Sequence, residues 1–242
     1  MISKEVNYLE YLSEGLDKLG IEVSTERQIK MLEYMELVLE ANKNINLTAI
    51  TDRKEFIELH IIDSLTILSL LSDAKSLIDV GTGAGFPAVI IKIARDDLKV
   101  TMLDSLNKRL KFIESATTKL GIEGLSYVHA RAEDGAKKAE LRESFDVCVA
   151  RAVSNLATLC EYCIPFASLN GNFIAMKGKN VADEIKQASS GYKKLNAEKP
   201  ILHSLNLPFS QSQRNILQYK KIGKTPSQYP RLPKQIKDRP LV

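Results

Sequence analysis

The 242-residue sequence has no tryptophan, three cysteines, three histidines and no long apolar run. The absence of tryptophan excludes ligand binding by indole stacking. An odd, small number of cysteines in a chain of this length does not suggest a disulfide framework. No apolar run approaches the roughly 18–20 residues that cross a bilayer. The N-terminus, where Glu and Lys alternate with leucines, does not resemble a signal peptide. These absences predict a cytoplasmic protein that contacts no membrane.

The basic residues concentrate at the carboxyl end. Residues 1–213 contain 26 Lys+Arg and 29 Asp+Glu, whereas residues 214–242 contain eight basic residues and one acid, Asp238. The formal net charge of +4 therefore combines a net charge of −3 with one of +7. A concentrated basic segment suits a phosphate-bearing partner, because affinity for such a partner comes largely from counterion release. A solvated tail that keeps the protein soluble is the alternative.

The first seventy-odd residues carry helical periodicity. Apolar residues at three- and four-residue steps predict amphipathic helices over 4–20 and 25–41. Thr25 and Gln28 suggest a capping box at the start of the second helix. The stretch NINLTAITD predicts an extended loop, and a third helix is predicted over 53–71.

After Lys75, strand-like and helical runs alternate in five β-α units, beginning with SLIDVG and GFPAVIIKIAR. Repeated units of this kind predict a parallel sheet with helices on both faces. Two further runs, ILHSLNLP and RNILQYKKI, predict a hairpin at the sheet edge. The proline-rich end predicts no regular element. The expected organisation is a helical extension (1–72), an α/β domain (73–222) and a basic tail (223–242) in one compact unit.

Three glycines, Gly81, Gly83 and Gly85, follow the first predicted strand in LIDVGTGAGFP. Ligands of open parallel sheets bind at the carboxyl ends of the strands, and glycines let the backbone approach them closely. The loop is therefore predicted to bind an adenosine-type cofactor. The dinucleotide fingerprint has its third glycine where Phe86 stands here. The spacing found, preceded by Asp79, resembles motif I of the class I S-adenosylmethionine-dependent methyltransferases.

Acidic residues end the next two predicted strands. Asp104 lies 23 residues after Gly81, near the separation expected for an acid that accepts the two ribose hydroxyls. Capping of the following helix is the alternative. Glu133, in ARAED, could help to recognise the adenine, or it could favour the start of its own helix through the helix dipole.

The motifs DVGTGAGFP, LDSLNKR, ARAED, FDVCVARAV, AMKGK and TPSQYPRLPKQIKDRPL, in this order, resemble the RsmG family of bacterial 16S ribosomal RNA guanine-N7 methyltransferases. The helical prefix also fits, so the resemblance covers nearly the whole chain. It implies a class I methyltransferase fold with a mostly parallel seven-stranded sheet and S-adenosylmethionine as cofactor. The implied partner is 16S ribosomal RNA or a small-subunit particle. One departure is Ala88, where the family commonly has glycine. We expect a monomer.

Arg151, after the fourth predicted strand, is similar to an arginine that the family places at the cofactor edge of the active site. Arg151 and Arg131 are the predicted catalytic residues. Guanine N7 has a free lone pair, so transfer to it needs no general base, only alignment and exclusion of water. Arg151 is expected near the cofactor carboxylate or near guanine O6. The cofactor-binding residues that the loop, the acids and the resemblance imply are Asp79, Gly81, Thr82, Gly83, Gly85, Phe86, Asp104, Ala132, Glu133 and Arg151.

Basic residues near the carboxyl end are the predicted RNA contacts. Lys177 and Lys179, in MKGK, could equally be the solvated end of a strand. Arg131 is a further basic position that is expected to face RNA or the catalytic pocket. The predicted RNA-binding residues are Lys177, Lys179, Lys224, Arg231 and Lys234.

Cys160 and Cys163 lie on one predicted helix and are expected to pack in the core rather than to bind metal. No metal site is predicted. His60 and Asp63 lie one turn apart on another predicted helix. They are expected to form a hydrogen bond from the helix to the sheet, with a role in the active site as the alternative.

Three other functions stay open from the residues alone. The first is methyl transfer to a protein or small molecule, which the basic tail disfavours. The second is non-enzymatic RNA binding, which the intact glycine loop disfavours. The third is a nicotinamide dehydrogenase, which the glycine spacing disfavours.

Overall fold

The structure is a computed structural model that describes residues 7–151, 154–179, 181–188 and 190–241. Its strands are β1 (Ser76–Val80), β2 (Lys99–Asp104), β3 (Leu125–His129), β4 (Phe145–Arg151), β5 (Ala167–Lys177), β6 (Ile201–Asn206) and β7 (Gln213–Lys220). They form one seven-stranded sheet in the order β3-β2-β1-β4-β5-β7-β6. Strands β1 to β5 are parallel, and β7 is antiparallel to β5 and β6. The predicted parallel sheet with a hairpin at its edge is confirmed.

Helices cover both faces of this sheet. They are α1 (Tyr8–Leu19), α2 (Thr25–Ile45), α3 (Arg53–Phe56), α4 (Asp63–Leu65), α5 (Ala88–Ala94), α6 (Asn107–Lys119), α7 (Ala132–Gly135), α8 (Leu156–Cys163), α9 (Ala182–Gln187), α10 (Gly191–Lys194) and α11 (Pro233–Asp238). Successive strand residues point to opposite faces. Leu77 and Val149 therefore pack with α1, α2, α5 and α6, while Ile78 and Cys148 pack with α8.

The start of α2 differs from the prediction. The Ser24 hydroxyl, not that of Thr25, accepts the capping hydrogen bond from the Arg27 amide at 3.4 Å. The side chain of Gln28 instead donates to the Val23 carbonyl at 2.8 Å. The predicted capping box is wrong because Ser24 has the extended backbone of an N-cap residue, whereas Thr25 is already helical.

The third predicted helix is not uniform. Between α3 and α4 the chain forms a π-helical segment (Ile57–Ile62), and a 3₁₀ turn (Leu68–Leu71) follows α4. Asp52 starts α3 by accepting hydrogen bonds from the amides of Lys54 and Glu55. The prediction of one α-helix over 53–71 is therefore wrong in detail. π-Helical turns within helices are frequent at functional sites.

The three cysteines are buried. Burial raises the pKa of the Cys160 thiol to about 12, so this group is not a reactive thiolate near neutral pH. The expected core packing of Cys160 and Cys163 is confirmed. Within the described ranges, no group of three or more potential metal ligands comes together.

The carboxyl-terminal segment is more regular than predicted. It contains α11, whose Ile236 side chain is fully buried. The Arg142 guanidinium donates to the carbonyls of Thr225 and Tyr229, both at 2.9 Å. The prediction of an irregular tail is wrong because Pro233 takes the first helical position, where its missing N–H costs nothing. No helix in the described residues has the length and apolarity to cross a bilayer.

Candidate active site

The loop between β1 and α5 depends on glycine. Gly81, Gly83 and Gly85 have φ angles of 77°, 61° and 87°, in the left-handed region, which glycine adopts without steric cost. A Cβ atom on Gly85 would lie 2.5 Å from the Tyr34 hydroxyl oxygen. That hydroxyl donates to the Ala84 carbonyl at 2.8 Å. Helix α2 therefore holds the loop against the sheet, and Gly85 leaves the room for it.

Asp79 lies beneath the loop. Its side chain is fully buried, and its Oδ2 accepts a hydrogen bond from the Thr82 hydroxyl at 2.7 Å. Its Oδ1 has no partner among the described residues. Burial raises the pKa of Asp79 to about 7, against the lowering effect of the Thr82 hydrogen bond. Asp79 therefore shapes the loop from inside.

Asp104 joins the loop to β2. Its Oδ2 accepts from the Gly83 amide at 2.9 Å, and its Oδ1 accepts from the Leu106 amide at 2.8 Å. Helix α6 begins at Asn107, with Leu106 and not Asp104 as its N-cap residue. Arg109 NH1 also lies 3.6 Å from Asp104 Oδ2. A carboxylate has about four acceptor positions, so these three contacts orient Asp104 and leave acceptor capacity for a ligand.

A cavity of about 420 Å³ opens beside Asp104. We call it the Asp104 cavity. The Glu133 carboxylate at its wall accepts no hydrogen bond from the described part of the chain, although the residue is buried. Two acids and a glycine backbone suit the hydroxyl and amino groups of a nucleoside. The lining residues of the Asp104 cavity include Gly81, Asp104, Arg131, Glu133, Arg151, Tyr162 and Pro233.

A second cavity of about 460 Å³ shares Gly81 and Arg151 with the first. We call it the Asp63 cavity. The end of β5, the π-helical segment and the loop after α2 form its walls. The two cavities therefore meet at the carboxyl ends of β1 and β4, where ligands of open α/β sheets bind. The lining residues of the Asp63 cavity also include Leu47, His60, Asp63, Phe86, Lys177 and Arg214.

Arg151 is fixed between the two cavities. Its NH1 donates to the Leu59 carbonyl and to Asp63 Oδ2, each at 3.0 Å. Its NH2 lies 3.0 Å from His60 Nδ1. The guanidinium carbon is 5.7 Å from the centre of the Phe86 ring. One arginine at the end of the sheet is therefore oriented by three residues from the N-terminal helices.

His60 is neutral in this arrangement. Burial, followed by the charge of Arg151, lowers its pKa to about 3. Since Arg151 donates to Nδ1, the ring proton lies on Nε2, which donates to the Thr48 hydroxyl at 2.8 Å. The ring stacks on Phe86 with centroids 4.7 Å apart. The expected hydrogen bond from His60 and Asp63 to the sheet is confirmed, and both residues also line a cavity.

Comparison with known proteins identifies the family. The model described as rRNA small subunit methyltransferase G matches residues 27–217. The ribosomal RNA small subunit methyltransferase G of Clostridium perfringens (strain 13 / Type A) is 39% identical over 238 residues, covering 98% of this chain and 100% of the relative. That of Pelotomaculum thermopropionicum is 43% identical over 235 residues, covering 96% and 98%. The chain belongs to the rRNA small subunit methyltransferase G family.

Solved structures share the fold at low sequence identity. An S-adenosylmethionine-dependent O-methyltransferase from Thermotoga maritima has a TM-score of 0.51 at 16% identity, covering 78% of this chain and 72% of its own. Geranyl diphosphate methyltransferase has a TM-score of 0.52 at 11% identity, covering 66% and 78%. These likenesses confirm the predicted fold class. The family confirms the predicted methyltransferase class and, with the fold, S-adenosylmethionine as methyl donor.

The sequence motifs did not identify two residues that contribute to this site, Arg214 and Asn42. Arg214, on β7, donates from Nε to Asp63 Oδ1 at 2.8 Å and lines the Asp63 cavity. Asn42 accepts from the amides of Leu47 and Thr48, which fixes the loop that carries the partner of His60. Arg214 is 151 positions from Asp63, so no local pattern joins them. The loop itself was predicted from the NINLTAITD motif.

The predicted catalytic and RNA-binding residues lie in different settings. Arg131 is exposed at the Asp104 cavity. Lys177 Nζ donates to the Ser154 carbonyl at 2.9 Å and pairs with Glu184 at 2.8 Å. Arg231 pairs with Glu161. The other three predicted RNA contacts, Lys179, Lys224 and Lys234, are exposed. All of these assignments stay predictions.

Proposed function

We propose that this protein transfers the methyl group of S-adenosylmethionine to N7 of a guanine in small-subunit ribosomal RNA. The observation that carries the proposal is the meeting of two cavities at Gly81 and Arg151 in a member of this family. In the proposal the Asp104 cavity holds the nucleoside part of the cofactor. The Asp63 cavity receives the target base.

The Asp104 cavity supplies the acceptors that the cofactor needs. The two amides that bind Asp104 fix its carboxylate, so its free lone pairs can accept the ribose hydroxyls. Glu133 would be the acid beside the adenine, and Gly81 would let the backbone approach the ligand. The cofactor supplies an electrophilic methyl group on a positively charged sulfur.

The Asp63 cavity suits a methyl acceptor whose attacking atom has no proton to lose. Two of its lining side chains could act as a base, but neither is free to accept a proton. His60 has a pKa of about 3, and two guanidinium groups bind Asp63. Guanine N7 attacks through a free lone pair, so alignment and exclusion of water are the contributions required of the protein. The site therefore fits an N7 acceptor better than an amine or hydroxyl that must lose a proton.

Arg151 and Asp63 set the charge at the junction. Positive charge leaves the sulfur and arrives on the purine during transfer, so an unpaired guanidinium at N7 would oppose the reaction. The contact with Asp63 at 3.0 Å partly offsets the charge of Arg151, since Asp63 also pairs with Arg214 at 2.8 Å. In the proposal Arg151 faces guanine O6 or the cofactor carboxylate, where its donors are favourable.

The carboxyl-terminal basic residues divide into two groups. Arg214, Lys221 and Arg231 pair with acids of the same chain at 2.8 Å or less. The others are exposed and form the proposed grip on RNA phosphates. They are Lys220, Lys224, Lys234, Lys237 and Arg239.

The direct test is transfer of a labelled methyl group to protein-free 16S RNA and to isolated small subunits, followed by nuclease mapping. The expected product is N7-methylguanosine at one nucleotide in at least one of the two substrates. Label on a different base, or on protein alone, would contradict the proposal. Comparison of the two substrates shows whether the enzyme acts on free RNA or on an assembled particle.

A further inference from the structure

The carboxyl-terminal segment reaches the Asp104 cavity. Pro233, the first residue of α11, lines this cavity together with Tyr162 of α8. The other lining residues lie between positions 80 and 162. A segment that follows the entire sheet in sequence therefore forms part of the cavity wall.

One ion pair holds this segment next to the cavity. The backbone amide and Nε of Arg231 both donate to Glu161 Oε1 at 2.8 Å, and NH2 donates to Oε2 at 2.6 Å. The Glu161 side chain is 0% exposed and that of Arg231 is 22% exposed. NH2 also donates to the Arg239 carbonyl at 2.9 Å, beyond the end of α11. Arg231 therefore joins α8 to both ends of the short helix.

The position of this pair connects it to the cavity. Glu161 directly precedes Tyr162, and Arg231 lies two positions before Pro233, so a cavity residue adjoins each partner. The contacts of Arg142 hold the tail farther back, at Thr225 and Tyr229. The Arg231–Glu161 pair is thus the ionic contact that fixes α11 at the cavity.

We infer that the Arg231–Glu161 pair positions Pro233 as a wall of the cofactor cavity, and that Arg231 acts in cofactor binding rather than as a phosphate ligand. The inference rests on the proposed function only in taking the Asp104 cavity as the cofactor site. If Arg231 moved to an RNA phosphate, the Glu161 carboxylate would stay buried without its partner. Such a buried charge is far more costly than one exposed phosphate contact is favourable.

This arrangement links the two ligands. Lys234 and Lys237 are exposed on the same helix that begins with Pro233. RNA that binds these lysines and a cofactor that contacts the wall both stabilise one position of α11. If RNA binding fixes α11 in the position that the cofactor needs, reciprocal linkage requires that each ligand raise the affinity for the other.

The first test is hydrogen exchange of the wild-type full-length protein with and without S-adenosylhomocysteine. Slower exchange of the α11 amides in its presence is expected. Binding without any change at α11 would overturn the inference and leave the proposed function intact. Failure of the wild type to bind S-adenosylhomocysteine would instead contradict the proposed function.

The second test is calorimetric titration of Arg231→Ala with S-adenosylhomocysteine in the absence of RNA. Binding about tenfold weaker or more is expected, with an unchanged salt dependence of RNA binding. Arg231→Lys, which keeps the charge but loses the forked geometry, should bind with intermediate affinity and serves if the alanine variant does not fold. Arg53→Ala is the control, since it breaks an exposed forked pair with Glu36 and should change neither quantity. Wild-type cofactor affinity combined with a smaller salt dependence in either Arg231 variant would overturn the inference.

Discussion

The Asp104 and Asp63 cavities differ in how the sequence encodes them. Most of the lining of the Asp104 cavity comes from residues 80–133, where strand ends and loops follow one another along the chain. The lining of the Asp63 cavity comes from six separate places between positions 47 and 214. A short motif can specify the first cavity. The second depends on ion pairs and stacking between distant elements.

The two cavities also use their acids differently. Asp104 accepts from two amides and has one arginine, Arg109, at 3.6 Å. Asp63 is bound more closely by two, Arg151 at 3.0 Å and Arg214 at 2.8 Å. The acids of the first cavity can thus bind a ligand directly. The acid of the second orients arginines. Substitutions should separate these roles, and the largest effects are expected in the glycine loop and at Arg151, where the cavities meet.

Gly85→Ala should have the largest effect. The left-handed φ of 87° and a contact of 2.5 Å with the Tyr34 hydroxyl both oppose a Cβ atom, and the strain at such a backbone position alone costs about 1–3 kcal/mol. Cofactor binding should be lost and the free energy of unfolding lowered, as measured by calorimetry and urea denaturation. Gly83→Ala is the control, because its φ is also positive but its Cβ would meet nothing closer than 4.0 Å. Equal effects of the two substitutions would contradict this account of the loop.

Arg151→Ala should lower methyl transfer by about 100-fold or more, the size expected when a fixed donor is removed from an active site. Single-turnover rates measure the effect on methyl transfer, and titration with the cofactor measures the effect on its affinity. Arg151→Lys should recover little, since the compact ammonium lacks the planar, forked geometry with which Arg151 contacts Leu59, His60 and Asp63. If Arg151→Ala kept both its cofactor affinity and its turnover, the assigned role would be wrong.

His60 of the Asp63 cavity and Asp79 beneath the glycine loop should make opposite contributions to the pH dependence of stability. The pKa of His60 is lowered from 6.5 to about 3, so the unfolded chain binds its proton first and stability falls as pH drops from 6.5 towards 3. The pKa of Asp79 is raised from 3.8 to about 7, so stability falls as pH rises from 3.8 towards 7. Each group contributes at most about 1.4 kcal/mol per pH unit within its window.

Urea denaturation between pH 4.5 and 6.5 measures these contributions. Relative to the wild type, His60→Gln should gain less stability with rising pH, and Asp79→Asn should gain more. A change of the same sign in both variants would contradict the assigned protonation states.

Lys224→Ala should have the smallest effect. Its side chain is exposed, and each lost phosphate contact should lower the slope of log K against log salt by about 0.7 for single-stranded RNA. Cofactor affinity should stay at the wild-type value. If the salt slope were unchanged, Lys224 would not be one of the RNA contacts.

The strands and the glycine loop could be predicted because their signals are local. SLIDV and KVTMLD are apolar runs next to turn residues, and the φ angles of three glycines explain their spacing. The start of α11 at Pro233 was missed because a proline-rich stretch also predicts irregular structure. Ser24 and Thr25 are both good capping residues, so sequence alone did not choose between them.

Long-range features could not be predicted in the same way. The pairing of Asp63 with Arg214 and the π-helical turn at His60 follow from packing between elements that no local pattern joins. The burial of Glu161 with Arg231 has the same origin. The predicted three-part division of the chain, its monomeric state and the RNA contacts stay predictions.

The central claim is that the cofactor occupies the Asp104 cavity and the target base the Asp63 cavity. The most direct test is calorimetric titration of Asp104→Asn and Arg214→Ala with S-adenosylhomocysteine. The account predicts binding about tenfold weaker or more for Asp104→Asn, because charged hydrogen bonds are lost. It predicts affinity within about threefold of the wild type for Arg214→Ala. Wild-type affinity in Asp104→Asn, or an equal loss in Arg214→Ala, would contradict it.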